Sequence, residues 1–76
     1  EQLAGQGVNV RRAQKGVPTS DGYRFPDLEE FDPTTEQVLR YFEVKSGNAK
    51  YGGRQLRKDE EILATLGIPT ELIRMP

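Results

Sequence analysis

Gln37-Val38-Leu39-Arg40-Tyr41-Phe42-Glu43-Val44-Lys45 reads as the best-formed strand in this chain, and the rest of the fold is arranged around it. Successive side chains of a strand point to opposite faces. Val38, Arg40, Phe42 and Val44 therefore share one face, and Leu39, Tyr41, Glu43 and Lys45 the other. Glu43 and Lys45 stand about 7 Å apart along the strand, given its ~3.3 Å rise per residue. Upstream, Asp32-Pro33-Thr34-Thr35 reads as a turn and Tyr23 to Phe31 as a second strand. Pro26 cannot donate to a ladder, so that strand is at an edge or kinked just before Asp27. Lys15 to Gly22 is turn material, Val8 to Ala13 alternates as a short strand, and Glu1 to Gly7 reads as the last turns of a helix. Downstream, the loop Ser46 to Gly53 leads to a helix over Arg54 to Leu66, stopped by Gly67, and to a final strand over Thr70 to Met75. The expected fold is α/β: a helix end, a three-stranded meander, a helix and a final strand in one mixed sheet.

The 76 residues make one domain. At this size folding buries only some 60% of the unfolded chain's surface, so the core is limited. No cysteine is present to supply a disulfide or a thiolate metal site, which leaves a bound metal or a partner protein to add stability. No histidine is present either. Histidine-based general bases, the usual zinc sites and Ser-His-Asp triads are thereby excluded. An enzyme built from this chain works with carboxylates, Lys, Tyr and a hard cation such as magnesium. No apolar run approaches the ~20 residues of a membrane span, and no signal-peptide pattern is present. The chain begins with Glu, not Met, which leads us to expect a C-terminal piece of a larger protein.

The net charge of −1 conceals a strong asymmetry. From Asp21 to Glu36 the charges are Asp21, Asp27, Glu29, Glu30, Asp32 and Glu36, against Arg24 alone. From Lys45 to Lys58 all are basic: Lys45, Lys50, Arg54, Arg57 and Lys58. A basic stripe beside an acidic cluster suits a phosphate backbone, and it is equally what a solvated loop and helix face present. On the helix, Leu56, Ile62, Leu63 and Leu66 share a face expected to rest on the sheet. Gln55 and Asp59 fall within that stripe, where polar groups are costly unless bonded or serving a site. Either they return to the neighbourhood of Glu43, or they lie past the sheet edge in water.

Asp27, followed by a strand presenting Glu43-Val44-Lys45, places carboxylates and an ammonium where a divalent cation and a water can be held. That is a hydrolytic arrangement for a phosphodiester. The plainer alternatives are a turn residue after Pro26 and an exposed Glu43–Lys45 ion pair worth ~0–1 kcal/mol. Tyr41 reads as packing. No aromatic stacking platform and no reader of a 2′-hydroxyl is legible, so the choice of DNA or RNA stays open.

Pro26-Asp27, Glu43-Val44-Lys45 and Gln55 on the following helix together resemble the PD-(D/E)xK nuclease superfamily, whose core is restriction-endonuclease-like. Lys45-Ser46-Gly47 and Arg54-Gln55-Leu56-Arg57-Lys58-Asp59 resemble its short form, found in C-terminal nuclease domains of bacterial polymorphic toxins, contact-dependent growth inhibition toxins among them. The resemblance implies Asp27 and Glu43 as ligands of Mg²⁺ or Mn²⁺, with the Val44 carbonyl, and with Glu1 as a further ligand through water. It implies that Lys45 orients or helps deprotonate the attacking water and that Gln55 holds the phosphate or the water. Lys50, Arg54, Arg57 and Lys58 are the expected nucleic-acid contacts. It further implies a toxin delivered as part of a secreted or cell-surface protein, acting on DNA or tRNA in the target-cell cytoplasm and neutralised by an immunity protein. The competing readings are a binding module of the same fold with a decayed site, and a housekeeping nuclease.

Overall fold

The computed structural model describes residues 9–75. The expected helix over Glu1 to Gly7, the first residue of the first strand, and Glu1 as a ligand lie outside them. Six strands and one helix follow in the order β1 (Asn9–Arg12), β2 (Val17–Thr19), β3 (Gly22–Arg24), β4 (Leu28–Phe31), β5 (Val38–Ser46), α1 (Gly53–Leu66) and β6 (Thr70–Met75). The main sheet has the order β1-β4-β5-β6. β1, β4 and β5 pair antiparallel, and β6 lies parallel to β5 with Glu43 opposite Leu72. α1 supplies the crossover that a parallel pair needs. The expected mixed sheet is present, and the final strand has the expected bounds.

A separate two-stranded sheet, β2-β3, is inserted between β1 and β4. This corrects the reading of Lys15 to Gly22 as turn alone. Ser20 and Asp21 are a two-residue hairpin turn closed by the pair Thr19 and Gly22. Gly22 adopts φ 87° there, a region other residues avoid. Thr19 Oγ1 donates to the Gly22 carbonyl at 2.5 Å and accepts from the Asp21 N–H at 3.1 Å. The reading of Tyr23 to Phe31 as one strand is corrected too. The chain leaves β3 at Arg24, turns through Phe25-Pro26-Asp27 and enters β4 in the other sheet. The break falls where Pro26 withholds a donor, and β4 is an internal strand between β1 and β5.

α1 is built of strong helix formers (Arg, Gln, Leu, Lys, Glu, Ala). It ends at Gly67, whose φ of 72° places it in the left-handed region and whose N–H donates to the Leu63 carbonyl. Its inward face differs from the expected one. Ile62 is fully buried with Val17 and Tyr41, whereas Leu56, Leu63 and Leu66 are 42%, 51% and 56% exposed. The helix packs against β2 and β3, so the inserted hairpin, unseen in the sequence, rotates its buried face towards Asp59 and Ile62. Polar links fasten the two: the Ser20 N–H and hydroxyl donate to Glu61, and Lys58 Nζ donates to the Tyr23 carbonyl. Phe42, on the opposite face of β5 from Tyr41, is wholly buried. Among the described residues no helix is long and apolar enough to cross a membrane.

Candidate active site

Alternation along β3 sends Arg24 inward while Tyr23 points out, and Phe25 just beyond it is also exposed. Arg24 is 4% exposed and carries the centre of a buried ionic network. Its Nε donates to Asp59 Oδ1 at 2.7 Å and its Nη2 to Glu43 Oε1 at 2.7 Å and Asp59 Oδ2 at 3.2 Å. Its Nη1 donates to the Phe25 carbonyl at 3.2 Å. Lys45 Nζ lies 3.1 Å from the other Glu43 oxygen, and the Tyr51 hydroxyl donates to Asp59. Two cations thus face two carboxylates, and the planar guanidinium fork matches both acids at once.

Burial works against the Arg24 charge, but hydrogen bonds and attraction from Asp59 and Glu43 outweigh it and raise its pKa above the ordinary arginine value. The Tyr51 phenol is pushed up by burial and by its bond to Asp59. Above pH 10.0, its ordinary value, the unfolded phenol ionises first while the folded one keeps its proton. Stability is therefore expected to fall as pH rises through this range, by up to about 1.4 kcal/mol per unit. Thermal melts taken above and below that pH check this, and Tyr51→Phe should flatten the alkaline fall.

Asp27 stands where β4 begins. Its N–H donates to the Phe42 carbonyl at 3.1 Å, and its carboxylate accepts from the Val44 N–H at 2.8 Å. The side chain thus supplies an acceptor for a β5 N–H just beyond the last paired residues of the ladder, Leu28 and Phe42. The N–H and C=O of one extended residue point to the same side of a strand, so the Val44 carbonyl is on the side of β5 that faces β4. Asp27 and Val44, 17 residues apart in sequence, are thereby joined beside the Glu43–Lys45 pair.

The expected residues fare unequally. The Asp27 carboxylate reaches the Val44 N–H, and Lys45 pairs with Glu43 on the same strand. The Glu43–Lys45 pair is not the exposed one weighed above, since the Glu43 side chain is 7% exposed. Gln55 is half-buried and lines an open groove of about 330 Å³ with Tyr23, Arg24, Phe25, Arg54 and Lys58. Asp59 is 5% exposed, which overturns its placement in water. Of the expected nucleic-acid contacts, Lys50 and Arg57 are exposed, Arg54 pairs with Asp21 at 2.8 Å, and Lys58 is held to the Tyr23 carbonyl.

Sequence reasoning missed Arg24 and the aromatic pair. Arg24 was visible as the lone cation among six acids, and a buried carboxylate demands such a partner. Tyr23 and Phe25 are 59% and 69% exposed, with ring centroids 6.1 Å apart and planes inclined by 23°.

The donors available for a metal are all hard oxygens: the Asp27 and Glu43 carboxylates and the Val44 carbonyl. Among the described residues no group of three or more acidic, His or Cys side chains is placed to hold an ion. Hard oxygens of this kind are the donors that Mg²⁺ takes, through one or two carboxylates with several waters kept. Glu43 uses one lone pair on each oxygen for Arg24 and Lys45, and a carboxylate has about four acceptor positions. A concavity of about 410 Å³, lined in part by Arg11, Glu29, Tyr41 and Leu66, contains none of these residues. Comparisons with protein-family models, curated proteins and solved structures gave no match to this chain.

Proposed function

We propose that this chain is a metal-dependent endonuclease that hydrolyses phosphodiester bonds of nucleic acid, acting as an interbacterial toxin held in check by an immunity protein. The observation that carries the catalytic reading is the 2.8 Å contact of the Asp27 carboxylate with the Val44 backbone, beside the 3.1 Å Glu43–Lys45 pair. Glu43, Val44 and Lys45 follow one another on β5, and Asp27 reaches that strand through the Val44 N–H, which supports the reading. The toxin role, the immunity partner and delivery to a target-cell cytoplasm rest on the likeness of Lys45-Ser46-Gly47 and Arg54 to Asp59 to polymorphic toxin domains.

Asp27, Glu43 and the Val44 carbonyl are the groups that would hold Mg²⁺ or Mn²⁺. When bound, such an ion acts as a Lewis acid on the phosphate and lowers the pKa of a coordinated water. Asp27 is exposed and open to that role, whereas Arg24 and Asp59 fix the Glu43 carboxylate in orientation. Lys45 donates to Glu43 and presents its ammonium beside the place where negative charge develops on the phosphate oxygens. The Gln55 amide, in the adjoining groove, has N–H groups to offer a non-bridging oxygen.

Incubating the chain with plasmid DNA and with tRNA, in magnesium and then in EDTA, tests this reading. Cleavage of at least one substrate in magnesium and its loss in EDTA are expected. Cleavage of neither sinks it. The second reading, a binding module without catalysis, is favoured by one observation: both Glu43 oxygens already have cationic partners.

A further inference from the structure

Tyr23 and Phe25 are large apolar side chains left outside a protein with little core to spare. Burying a residue such as Phe is worth roughly 1.5–3 kcal/mol, and this fold leaves Phe25 69% exposed. The pair is nonetheless held in place. Their rings pack on the backbone of Gly16: a Cβ there would fall 2.5 Å from Phe25 Cε1 and 2.9 Å from Tyr23 Cδ2. Tyr23 is further anchored through its carbonyl, which accepts from Lys58 Nζ at 3.0 Å. The Arg24 guanidinium beneath reaches the Phe25 carbonyl. The rings are thus a supported surface with open faces.

Phe25 lines two adjoining concavities. One holds Asp27, Val44 and Arg12, and the other holds Gln55, Arg54 and Lys58. Cations therefore flank the rings on both sides. Lys58 also borders a further concavity with Arg57, Asp21, Glu60 and Glu61, so the positive charge beside the rings themselves is that of Arg12, Arg54 and Lys58. A π-face bordered by cations fits a nucleobase flanked by its phosphates, because the base stacks on the ring while the backbone meets the charges. A base inside a duplex has both faces covered by its neighbours, so stacking on a side chain requires an unpaired base.

We propose that Tyr23 and Phe25 form a base-stacking platform that selects unpaired nucleic acid, as single strands or loops, and leads it past Phe25 to Asp27. The occupant is inferred on the nuclease reading above; the platform itself is tested by binding alone.

Fluorescence anisotropy in EDTA, where no metal-dependent cleavage occurs, measures affinity for labelled oligothymidylate, oligouridylate and a duplex, each of about 12 nucleotides. At least one single strand should bind tenfold or more tightly than the duplex. The Tyr23→Leu/Phe25→Leu double variant should lose roughly tenfold or more of that affinity, the weight of stacking one base. Its duplex affinity should be unchanged, and Phe25→Trp should retain single-strand binding. The thymidylate and uridylate arms separate DNA from RNA. Equal affinity for duplex and single strands in the unsubstituted chain overturns the platform, whatever the variants do. So does no binding to any oligonucleotide, the outcome expected if the rings seat a protein, and so does full affinity in a folded double variant. Platform-dependent binding without cleavage in magnesium removes the nuclease reading and leaves the platform. Cleavage that is indifferent to the double substitution does the reverse.

Discussion

Replacing Arg24 with Met is expected to destabilise the chain by about 3–5 kcal/mol, because it leaves Glu43 and Asp59 buried without their counter-charge. The two carboxylates are 5% exposed each, and Lys45 reaches only Glu43. Domains of this length are stable by roughly 4–11 kcal/mol in all, at ~0.05–0.15 kcal/mol per residue. A substitution at one side chain therefore removes a large part of the total. Arg24→Lys should be damaging too, since a single ammonium cannot reproduce the fork that meets both acids. Urea denaturation of the three proteins measures the effect; a loss under about 1 kcal/mol for Arg24→Met contradicts the network as described.

Asp27→Asn is expected to behave in the opposite way, with function lost and fold kept. The Asn carbonyl oxygen can still accept from the Val44 N–H, and the residue is exposed, so stability should change by no more than about 1 kcal/mol. The negative oxygen that would face a metal is gone. Substitution of groups that merely support metal ligands costs 10–100-fold, so loss of a ligand should lower cleavage by at least about a hundredfold. The pairing of these two variants separates roles. On the proposed reading Arg24 acts through Glu43 and the fold, whereas Asp27, which is exposed, acts at the site itself.

Much of this architecture is legible in the chain. β5, α1 and β6 follow from alternation, a run of helix formers and the Gly67 stop, which are local signals. The break before Asp27 follows from Pro26, which withholds a donor, whereas the contact of Asp27 with the Val44 N–H belongs to the register of β4 on β5 and has no local signal. The hairpin is another matter. Val17 to Thr19 and Gly22 to Arg24 are three residues each, too short to show a period beside Gly, Pro, Ser and Asp. Missing the hairpin meant missing what it places: Arg24 inside, Tyr23 and Phe25 outside, and the helix rotated so that Asp59 and Ile62 face inward. Periodicity on α1 could not locate its buried face, because the partner surface was set by a non-local insertion with polar contacts.

The central claim is hydrolysis at Asp27 and Glu43, and the rate of nucleic-acid cleavage in magnesium tests it most directly. The measurement compares the unsubstituted chain with Asp27→Asn, matched for thermal stability, on single-stranded and duplex substrates. The account predicts cleavage by the former that stops in EDTA, and a rate at least about a hundredfold lower in the latter. Equal rates in the two proteins, or cleavage that persists in EDTA, contradict it.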